Sequence, residues 1–562
     1  MPEALSKKRW AIPDSPTKRG SLVDALYLAL LSVVARFVKP REPRVERHIF
    51  NIQGYLECKQ KDENGHAARP VLVVPAMGPS FDLPQVLHSV PSSELAEVNL
   101  GYSCMANLFH RKHWIRRRGV PKEQVDEMET YARKILRDQP NRLYVRSLVL
   151  TESKARLFHF DRAGAEITPP FDIHQHPGTL VRLVAGLCSA NKRVLGLDTS
   201  VQWTIVDQKK SEGTITDHRT PDTLEELVVK DSWRIDGLRA EDELLKLVKD
   251  TPGVVHMVSY EIGRGETKDF RCPSTIGSFQ NRVATRVTTK AYGCSVEHFK
   301  SVVQLLSAIR DAIASRPSPH AFQPTKGLVA DDIGILHRDV SDQNVLLGKD
   351  DAPEGERGVL TDFDLAFRAT ISEPTIKADH NVGLPIFQSL SVLSTVFGGN
   401  KNIPHVYLDD LQAPDGSRVP SAEEGPSILF TWNDGTPRDT FVNKQGLTAG
   451  NPIMHSVGRL IKASWGRICE DLFKKFRAWT VSRRSDTERL LFQKKGPEDL
   501  LPKRDEHCSA VLKMFDKDIQ ATKSSAKTSM RRSKYVAQPA SAISSWEKRR
   551  PQIRITPIAL LL

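Results

Sequence analysis

The stretch at 336–364 constrains the fold of this chain more than any other part of its sequence. It reads LHRDVSDQNVLL, then a polar spacer, then GVLTDFDLA. Asp339 and Asn344 stand close together, and Asp362 opens the D-F-D triplet after the spacer. Each of these polar residues lies beside a short apolar run of the kind that forms a strand. The alternative is a loop that contains H-R-D by chance, and the accompanying amide and second carboxylate argue against it.

These residue types match the chemistry of phosphate transfer from ATP. One carboxylate orients the attacking hydroxyl, while an amide and a second carboxylate hold Mg²⁺ against the phosphates. The order therefore predicts Asp339 as the base, with Asn344 and Asp362 as metal ligands. His337 is expected to pack under the loop as a structural residue. Arg338 is expected to receive an acidic or phosphorylated activation segment, for which the candidate modification sites are Thr370, Ser372 and Thr375.

Two substitutions modify this pattern. Ser341 stands where many serine/threonine kinases have a lysine that neutralises the γ-phosphate, so stabilisation of the transition-state charge should be weaker. Asp364 replaces the glycine of D-F-G and restricts the backbone, which predicts a less mobile metal-binding aspartate. The run GLPIFQSLSVL at 383–393 indicates the end of an activation segment, and it has no A-P-E glutamate to tether it.

An apolar run that ends on Lys230, at 226–233, predicts the phosphate-gripping strand of a small lobe. Its sequence is ELVVKDSW, and a lysine in this position holds the α- and β-phosphates. A surface lysine is the alternative. A helix is expected over 238–250, with Glu241 as the ion-pair partner of Lys230. Glu243 is the second choice, and a solvated helix face remains open for both.

A glycine-rich hairpin should precede Lys230, because backbone N–H groups must approach the phosphates closely. Gly213 is the only glycine in the sequence between residues 203 and 230. The phosphate cover is therefore missing or remade from 208–218, with two basic residues as charge substitutes, Lys209 and Lys210. The G-R-G-E-T run at 263–267 follows Lys230, so strand order excludes it as this hairpin.

The remaining elements follow the same plan. Tyr292 and Gly293 are expected to form a hinge that meets the adenine edge through backbone groups. An amphipathic helix over 295–315 should carry the catalytic loop behind it. Asp409 and Asp410 indicate the start of a central helix, which the polar, proline-containing segment after it interrupts or displaces. A helix with a broad apolar face is expected over the positions that run from Val457 to Trp479.

Composition sets wider limits. The chain has 562 residues and a net charge of +13, which favours acidic partners, nucleotide phosphates included. Its seven scattered cysteines include no C-x-x-C pair, which indicates a reducing compartment. The apolar run at 22–38 is interrupted by Asp24 and Arg36 and is shorter than the ~18–20 residues of a spanning helix. It predicts a helix packed on the protein, with a targeting segment as the alternative.

Several strings resemble the fungal-type protein kinase family found in basidiomycetes. They include YARKILRDQPNRLYVRSLVL, LFHFDRAG, LGLDTSVQW and VVKDSW, besides the catalytic stretch and GLPIFQSLSVL. The resemblance covers roughly residues 131–444 and is specific, because the family has a D-F-D motif where other kinases have D-F-G. The family shares Ser341 as well. The resemblance implies a kinase fold, use of ATP and protein hydroxyls as substrates.

We therefore predict an α+β, two-lobed protein-kinase-like fold, with a small antiparallel β lobe and a large helical lobe. The expected parts are an N-terminal extension, partly disordered (1–120), a small lobe with family-specific insertions (121–292), a large lobe (293–485) and a basic, largely disordered tail (486–562). From residue 521 the tail is rich in Lys, Arg, Ser, Ala and Thr, which indicates a solubilising tail, with nuclear import or binding to an anionic surface as the alternatives.

The predicted function is transfer of the γ-phosphate of Mg·ATP to serine or threonine hydroxyls of protein substrates. A pseudokinase that acts as a binding or scaffold module is the alternative, because the glycine-rich loop is missing. Phosphorylation of a small molecule is disfavoured, since Arg338 follows the protein-kinase spelling of the loop. We expect neither direct nucleic-acid binding nor a membrane span, and an intracellular location, cytoplasmic or nuclear.

Overall fold

The fold is described from a computed structural model of the full chain. The structure describes residues 5–6, 9–13, 19–38, 47, 49–51, 72–76, 81–82, 101–111, 121–206, 209–215, 226–237, 240–273, 279–315, 332–370, 373, 375–397, 403–412, 436–448, 452–492 and 502–532. These residues fall into two compact units. The first takes the described residues up to 237 together with 259–288, and the second takes 240–258 and those from 289 onward.

The first unit is built mainly of strands. Its helices are α1 (Arg19–Phe37), α2 (Lys122–Asp138) and α3 (Pro177–Leu187). Its strands, in chain order, are β1 (Leu5–Ser6), β2 (Arg9–Trp10), β3 (Phe50–Asn51), β4 (Leu72–Pro75), β5 (Met105–Arg111), β6 (Tyr144–Leu150), β7 (Lys154–Asp161), β8 (Gly164–Ile167), β9 (Phe171–Asp172), β10 (Val201–Val206), β11 (Lys209–Ile215) and β12 (Leu227–Ile235). Strands β13 (Met257–Glu266) and β14 (Arg282–Lys290) carry the chain between the two units.

One seven-stranded sheet organises the first unit, in the order β3-β4-β5-β6-β7-β8, with β9 paired to β7. All of its pairs are antiparallel except β5 and β6. A parallel pair needs a crossover, and α2 lies between these two strands in the chain. Both faces are covered. Val145 and Val149 pack with the apolar side of α2, while Leu148 and Leu150 join the cluster that contains α1 and α3.

The predicted packed helix at 22–38 is confirmed by α1. Leu22, Leu26 and Leu30 are buried and belong to the core that the helix shares with α3 and the sheet. Their spacing of four residues places them on one face. Among the helices that the structure describes, none combines the length and the apolar character needed to cross a bilayer.

Two smaller sheets follow in the chain. Strands β10 and β11 form an antiparallel hairpin in which Val206 faces Lys209, so two residues, which lie outside the described ranges, connect the strands. Strands β12, β14 and β13 form a three-stranded sheet in that order. The fully buried Arg286 of β14 makes a two-pronged pair with Asp231 of β12, at 2.7 and 2.8 Å. The G-R-G-E-T run overlaps the end of β13, where its arginine contacts Asp198 and Ser200.

The second unit is mainly helical. Its helices are α4 (Glu241–Leu247), α5 (Val302–Ala314), α6 (Leu390–Leu393), α7 (Tyr407–Gln412), α8 (Pro437–Thr448), α9 (Pro452–Trp465), α10 (Arg467–Phe492) and α11 (Arg504–Arg532). Its strands are β15 (Asp332–Leu336), β16 (Val345–Leu347), β17 (Gly358–Leu360), β18 (Phe367–Thr370), β19 (Ile376–Lys377) and β20 (Pro404–His405). The expected interruption after Asp410 concerns residues 413–435, which lie outside the described ranges.

Two sequence predictions need correction here. The single helix expected over 457–479 is wrong, because Gly466, with φ +88°, ends α9 and α10 begins directly after it. The largely disordered tail is wrong for the part that forms α11. Val511, Phe515 and Ile519 are buried in the same core as Leu472 of α10. Basic and small polar residues elsewhere on the helix hid this apolar row of i, i+4 positions.

A buried aspartate fixes the position of α5. Asp311 is fully buried and accepts hydrogen bonds from the backbone N–H groups of Gly355 and Arg357, at 2.9 and 3.0 Å. Its two carboxylate oxygens also pair with the Arg357 guanidinium, both at 2.7 Å. Burial alone would raise the pKa of Asp311, but the hydrogen bonds from Arg357 outweigh it and hold the pKa below 3.8.

Replacing Asp311 with asparagine should lower the free energy of unfolding by roughly 2–4 kcal/mol, because buried donors lose a charged acceptor. A depressed pKa stabilises the fold above the unfolded-state value and loses that effect as the pH falls through the folded-state value. The difference in unfolding free energy between wild type and Asp311→Asn should therefore be largest at pH 7 and decrease below about pH 4. Urea unfolding at several pH values measures it, with the exposed Asp350→Asn as control. A gap independent of pH would contradict this account.

Candidate active site

Two short antiparallel pairings bring the predicted catalytic residues together. Strand β16 pairs with β17, and Val345 faces Leu360. Strand β15 pairs with β18, and Leu336 faces Phe367. The H-R-D loop joins β15 to β16, and the D-F-D loop joins β17 to β18, so both loops leave the paired strands at neighbouring positions. A backbone hydrogen bond of 2.9 Å from Thr361 N–H to the Asn344 carbonyl oxygen links the two loops directly.

Asp410, on α7, holds the backbone of the H-R-D loop in place through two hydrogen bonds. Its two carboxylate oxygens accept the N–H groups of His337 and Arg338, at 2.8 and 3.0 Å. His405 contacts the same carboxylate at 3.0 Å through Nε2. The anchored loop includes Arg338 at φ +68°, a left-handed conformation that is rare and costly for a residue with a side chain. The anchoring by Asp410 compensates for this strain.

His337 is buried, as the sequence led us to expect of a structural residue. Its Nε2 contacts the carbonyl oxygen of Thr361 at 2.9 Å, and its ring lies edge-on to Phe363 with centroids 4.9 Å apart. Burial lowers the pKa of His337 despite the nearby carboxylates. The neutral ring therefore ties the H-R-D loop to the D-F-D loop.

Asp339 and Asn344 form the centre of the arrangement. The Asn344 side-chain N–H₂ donates to the backbone oxygen and to Oδ2 of Asp339, at 2.9 and 3.0 Å. Both partners are acceptors, so the nitrogen of the amide must face them and its oxygen points away. Burial raises the pKa of Asp339, and the charge of Asp362 adds to the rise, while His337 and Asn344 oppose it.

The D-F-D loop supplies a second group of carboxylates. Asp362 has φ +66°, another strained position, and Phe363 is almost fully buried beneath it. The Phe363 N–H donates to Oε1 of Glu241 at 2.9 Å. Oxygens of Glu241, Asp362 and Asp364 all lie within 4.8 Å of one another. Three carboxylates so close repel one another unless a cation or protons intervene.

This donor set fits Mg²⁺. Magnesium prefers oxygen ligands, and carboxylate and amide oxygens are its usual protein donors. The chain offers carboxylate oxygens from Asp362 and Asp364, a further one from Glu241, and an amide oxygen from Asn344 that points away from Asp339. No softer sulfur or imidazole ligand belongs to this group among the described residues.

Gly383, in the expected end of the activation segment, lies against the carboxylate of Asp339. A Cβ atom added to Gly383 would lie 2.8 Å from Oδ1 of Asp339 and 3.1 Å from the backbone oxygen of Arg338. Gly383 also has φ +83°. The position therefore requires glycine on two grounds, close approach and backbone conformation. Leu384, the next residue, is 42% exposed beside it.

Comparison with known families decides what this arrangement belongs to. A family model described as "Fungal protein kinase" matches residues 115–224 and 263–413, which include the complete H-R-D and D-F-D loops. The chain belongs to the fungal protein kinase family. Membership makes it a kinase-like protein, and kinases in general bind ATP. No curated protein matches the chain.

The family match passes over residues 225–262, which contain Lys230 and Glu241. Lys230 lies on β12 in the first unit, whereas Asp339, Asn344, Asp362 and Glu241 all lie in the second. The structure therefore brings the last four together, and the pairing of Lys230 with Glu241 stays a prediction. Glu241 is buried whereas Glu243, the second choice, is exposed, which favours Glu241.

The expected hinge is only partly available for adenine. The Gly293 N–H donates to the Leu347 carbonyl oxygen at 2.8 Å, so it is already occupied. A Cβ on Gly293 would approach the same oxygen to 2.8 Å, which explains the glycine without a nucleotide. The Tyr292 hydroxyl accepts the His256 N–H at 3.2 Å. A contact with adenine would fall to the other backbone groups of Tyr292 and Gly293.

Arg338 and its expected partners are only partly described. The Arg338 guanidinium is half-buried and donates to the Leu365 carbonyl oxygen at 3.3 Å. Thr370 ends β18, and its hydroxyl accepts the Glu373 N–H at 3.1 Å, while Thr375 is partly buried. Ser372 lies outside the described residues. Binding of a phosphorylated segment by Arg338 remains a prediction.

Sequence reasoning missed three contributors to this fungal protein kinase site. Asp364 was interpreted only as a stiffened glycine position, although it also brings a third carboxylate beside Asp362 and Glu241. Glu241 was assigned to a lysine alone. Asp410 was interpreted as a helix start, although an aspartate behind an H-R-D loop could have suggested its anchoring role. The roles of Glu241 and Asp410 depend on contacts between distant segments, and that of Asp364 depends on Glu241 lying nearby.

Gly383 and Gly466 provide a matched test of the close approach to Asp339. Both have positive φ, +83° and +88°, but a Cβ on Gly466 would meet nothing within 4 Å. Gly466→Ala should cost about 1 kcal/mol for the backbone conformation alone. Gly383→Ala should cost roughly 2–3 kcal/mol, since it must also displace the Asp339 carboxylate. Equal losses in denaturant unfolding would show that the contact with Asp339 has no energetic weight.

Proposed function

We propose that this protein is an ATP- and Mg²⁺-dependent protein kinase that phosphorylates serine or threonine hydroxyls. The proposal is carried by the joined H-R-D and D-F-D loops, in which Asn344 bonds Asp339 through its nitrogen and turns its oxygen away. Membership of the fungal protein kinase family supports the same class of activity. The two-lobed kinase arrangement, with its small lobe at 121–292, belongs to this proposal.

In this mechanism Asp339 orients the attacking hydroxyl and takes up its proton. Its raised pKa makes it a stronger base than an exposed aspartate, which suits proton transfer near neutral pH. The hydrogen bond from Asn344 fixes the orientation of the carboxylate. Asp410 keeps the loop backbone in place, so that little reorganisation is needed when the substrate arrives.

Asp362 and Asn344 are the proposed metal ligands, with Asp364 and Glu241 close enough to contribute. When bound, Mg·ATP supplies the transferable phosphate and neutralises the charge that develops on it. In this chain Ser341 takes the place of the lysine that many kinases use for the same purpose. The additional carboxylate of Asp364 would supply a further ligand for Mg²⁺ and so offset part of that loss.

The strand order ahead of the site supports a nucleotide role for Lys230. A hairpin (β10–β11) precedes the strand that carries Lys230, a helix that carries Glu241 follows it, and two more strands complete the series. A kinase small lobe has this order, with the phosphate cover at the first hairpin. The hairpin is present where the glycine-rich loop was expected, although only Gly213 supplies a glycine. Lys209, at the start of β11, is exposed and is a candidate charge substitute.

A pseudokinase is the second candidate, and one observation favours it. The family model matches nothing between 225 and 262, the segment that should grip the phosphates. Without a glycine-rich turn, fewer backbone N–H groups can approach a phosphate closely. In that case the second unit would serve as a binding or scaffold module. For either candidate we propose an intracellular protein, cytoplasmic or nuclear, with protein partners.

Nucleotide binding separates the two candidates at low cost. Mg·ATP at about 100 times its Kd should stabilise the wild-type protein by about 2.7 kcal/mol, seen as a rise in Tm. Lys230→Met should remove most of this rise, because the phosphates lose their cation. The exposed Lys122→Met is the matched control and should behave as wild type. A wild-type protein that shows no rise with Mg·ATP would remove the basis for an active kinase.

Catalysis is tested at Asp339. Asp339→Asn should lower phosphate transfer to a generic protein substrate by roughly 10²–10⁴-fold, the usual contribution of a general base. The thermal shift with Mg·ATP should persist, since this carboxylate is not a proposed nucleotide or metal ligand. The exposed Asp350→Asn serves as control, and radiolabelled phosphate incorporation is the readout. An unchanged rate in Asp339→Asn would show that the base is misassigned.

A further inference from the structure

The activation segment lacks the A-P-E glutamate that commonly tethers its end, yet its end is firmly placed. Gly383 approaches the catalytic carboxylate closely, and Leu384 is held exposed beside it. Strand β18 pairs with β15 near the start of the described part of the segment, and β19 pairs with β20 at residues 376–377, so both pairings precede residue 380. Another set of contacts must therefore hold residues 380–384 against Asp339.

Thr395 holds His380 through its hydroxyl, and the Gln388 side chain makes three further contacts with this stretch. Its Nε2 lies 3.0, 2.7 and 3.1 Å from the backbone oxygens of His380, Val382 and Gly383. An amide nitrogen has two hydrogens, so at least one is shared between two oxygens. All three partners are acceptors, which fixes the orientation of the amide. Gln388 is 6% exposed, so water cannot readily replace these hydrogen bonds.

Lys444 of α8 holds Gln388 itself. Its ammonium group donates to the backbone oxygen of Gln388 at 2.8 Å, and the residue is 4% exposed. A hydrogen bond from a charged donor in a buried place is stronger than one between neutral groups. The next residue, Ser389, donates its hydroxyl to the Asp409 carboxylate at 2.5 Å and caps α6. The peptide at 388–389 is thus fixed to α8 and to α7.

We propose that Gln388 and Lys444 form a tether that replaces the missing glutamate and sets the position of Gly383 and Leu384 beside Asp339, where the protein substrate binds. This rests on the proposed kinase function. Lys444 fixes the backbone of residue 388 by a hydrogen bond to its carbonyl oxygen. The Gln388 side chain, anchored in this way, then binds the carbonyl oxygens of residues 380, 382 and 383. Both are positioning residues, since neither is placed to touch the phosphate or the reacting hydroxyl.

The tether can be tested without any activity, by hydrogen exchange of backbone amides in the full-length protein. Gln388→Met keeps the size of the side chain and removes its donors. Exchange at 380–384 should become at least about tenfold faster, while exchange in β16 and β17 stays at the wild-type rate. Lys444→Met should give the same pattern and Lys444→Arg should restore it. The exposed Gln520→Met and Lys349→Met are the matched controls.

Exchange at 380–384 within about twofold of wild type in Gln388→Met would overturn the tether. Should this variant fail to fold, Gln388→Asn, which is too short to reach the three oxygens, replaces it under the same criterion. In the kinase assay, the tether variants should raise KM for the protein substrate at least about fivefold and leave KM for ATP unchanged. A parallel change in both KM values would overturn the positioning role.

The two proposals fail in different ways. A wild-type protein that transfers no phosphate refutes the proposed function, and hydrogen exchange then decides the tether alone. A wild-type protein that is active, with variants that exchange and react normally, refutes the tether and leaves the proposed function standing.

Discussion

Two adjacent buried carboxylates, Asp409 and Asp410, hold together the parts from which the site is made. Asp410 accepts two backbone N–H groups of the H-R-D loop, and Asp409 accepts the Ser389 hydroxyl and the Val406 N–H. Burying a carboxylate is unfavourable unless its oxygens are well hydrogen-bonded, and burial raises the pKa of Asp409 accordingly. The cost is offset because one turn of helix fixes both the catalytic loop and the end of the activation segment.

The strain at the site depends on this anchoring. Arg338 and Asp362 both have positive φ, a conformation that a residue with a side chain adopts only when its surroundings require it. His405 adds to the support. Burial alone would lower its pKa, but the hydrogen bond to Asp410 and the two nearby carboxylates outweigh burial and raise it. The loops are therefore set before any ligand binds, which is the usual requirement for orienting a reaction.

Much of the second unit could be predicted from the sequence, because its signals are local. The H-R-D, asparagine and D-F-D pattern, the apolar runs beside it and the family's own spelling of D-F-D identified the family and the two loops. The helix at α1 followed from its apolar run and its two charged interruptions. The strand expected around Lys230 is confirmed, since β12 carries this residue. The helix α11 was missed altogether, because its three apolar residues at intervals of four stand in a basic and polar stretch that predicted disorder.

The sequence by itself determined which functional groups are present and in which order: a carboxylate, an amide and a second carboxylate, spaced for two loops. Only the tertiary structure decided which groups meet. Glu241 lies beside Asp362 and Asp364, Asp410 holds the H-R-D backbone, and Gln388 with Lys444 holds the segment over Asp339. The physical reason is that most of these contacts join distant residues: Lys444 and Gln388 are 56 positions apart, and Asp410 and His337 are 73 apart. The Gln388 side chain reaches only five to eight positions back, but which carbonyl oxygens it meets depends on how the folded segment turns. Local propensity carries no information on such pairs, and packing and hydrogen-bond satisfaction alone select them.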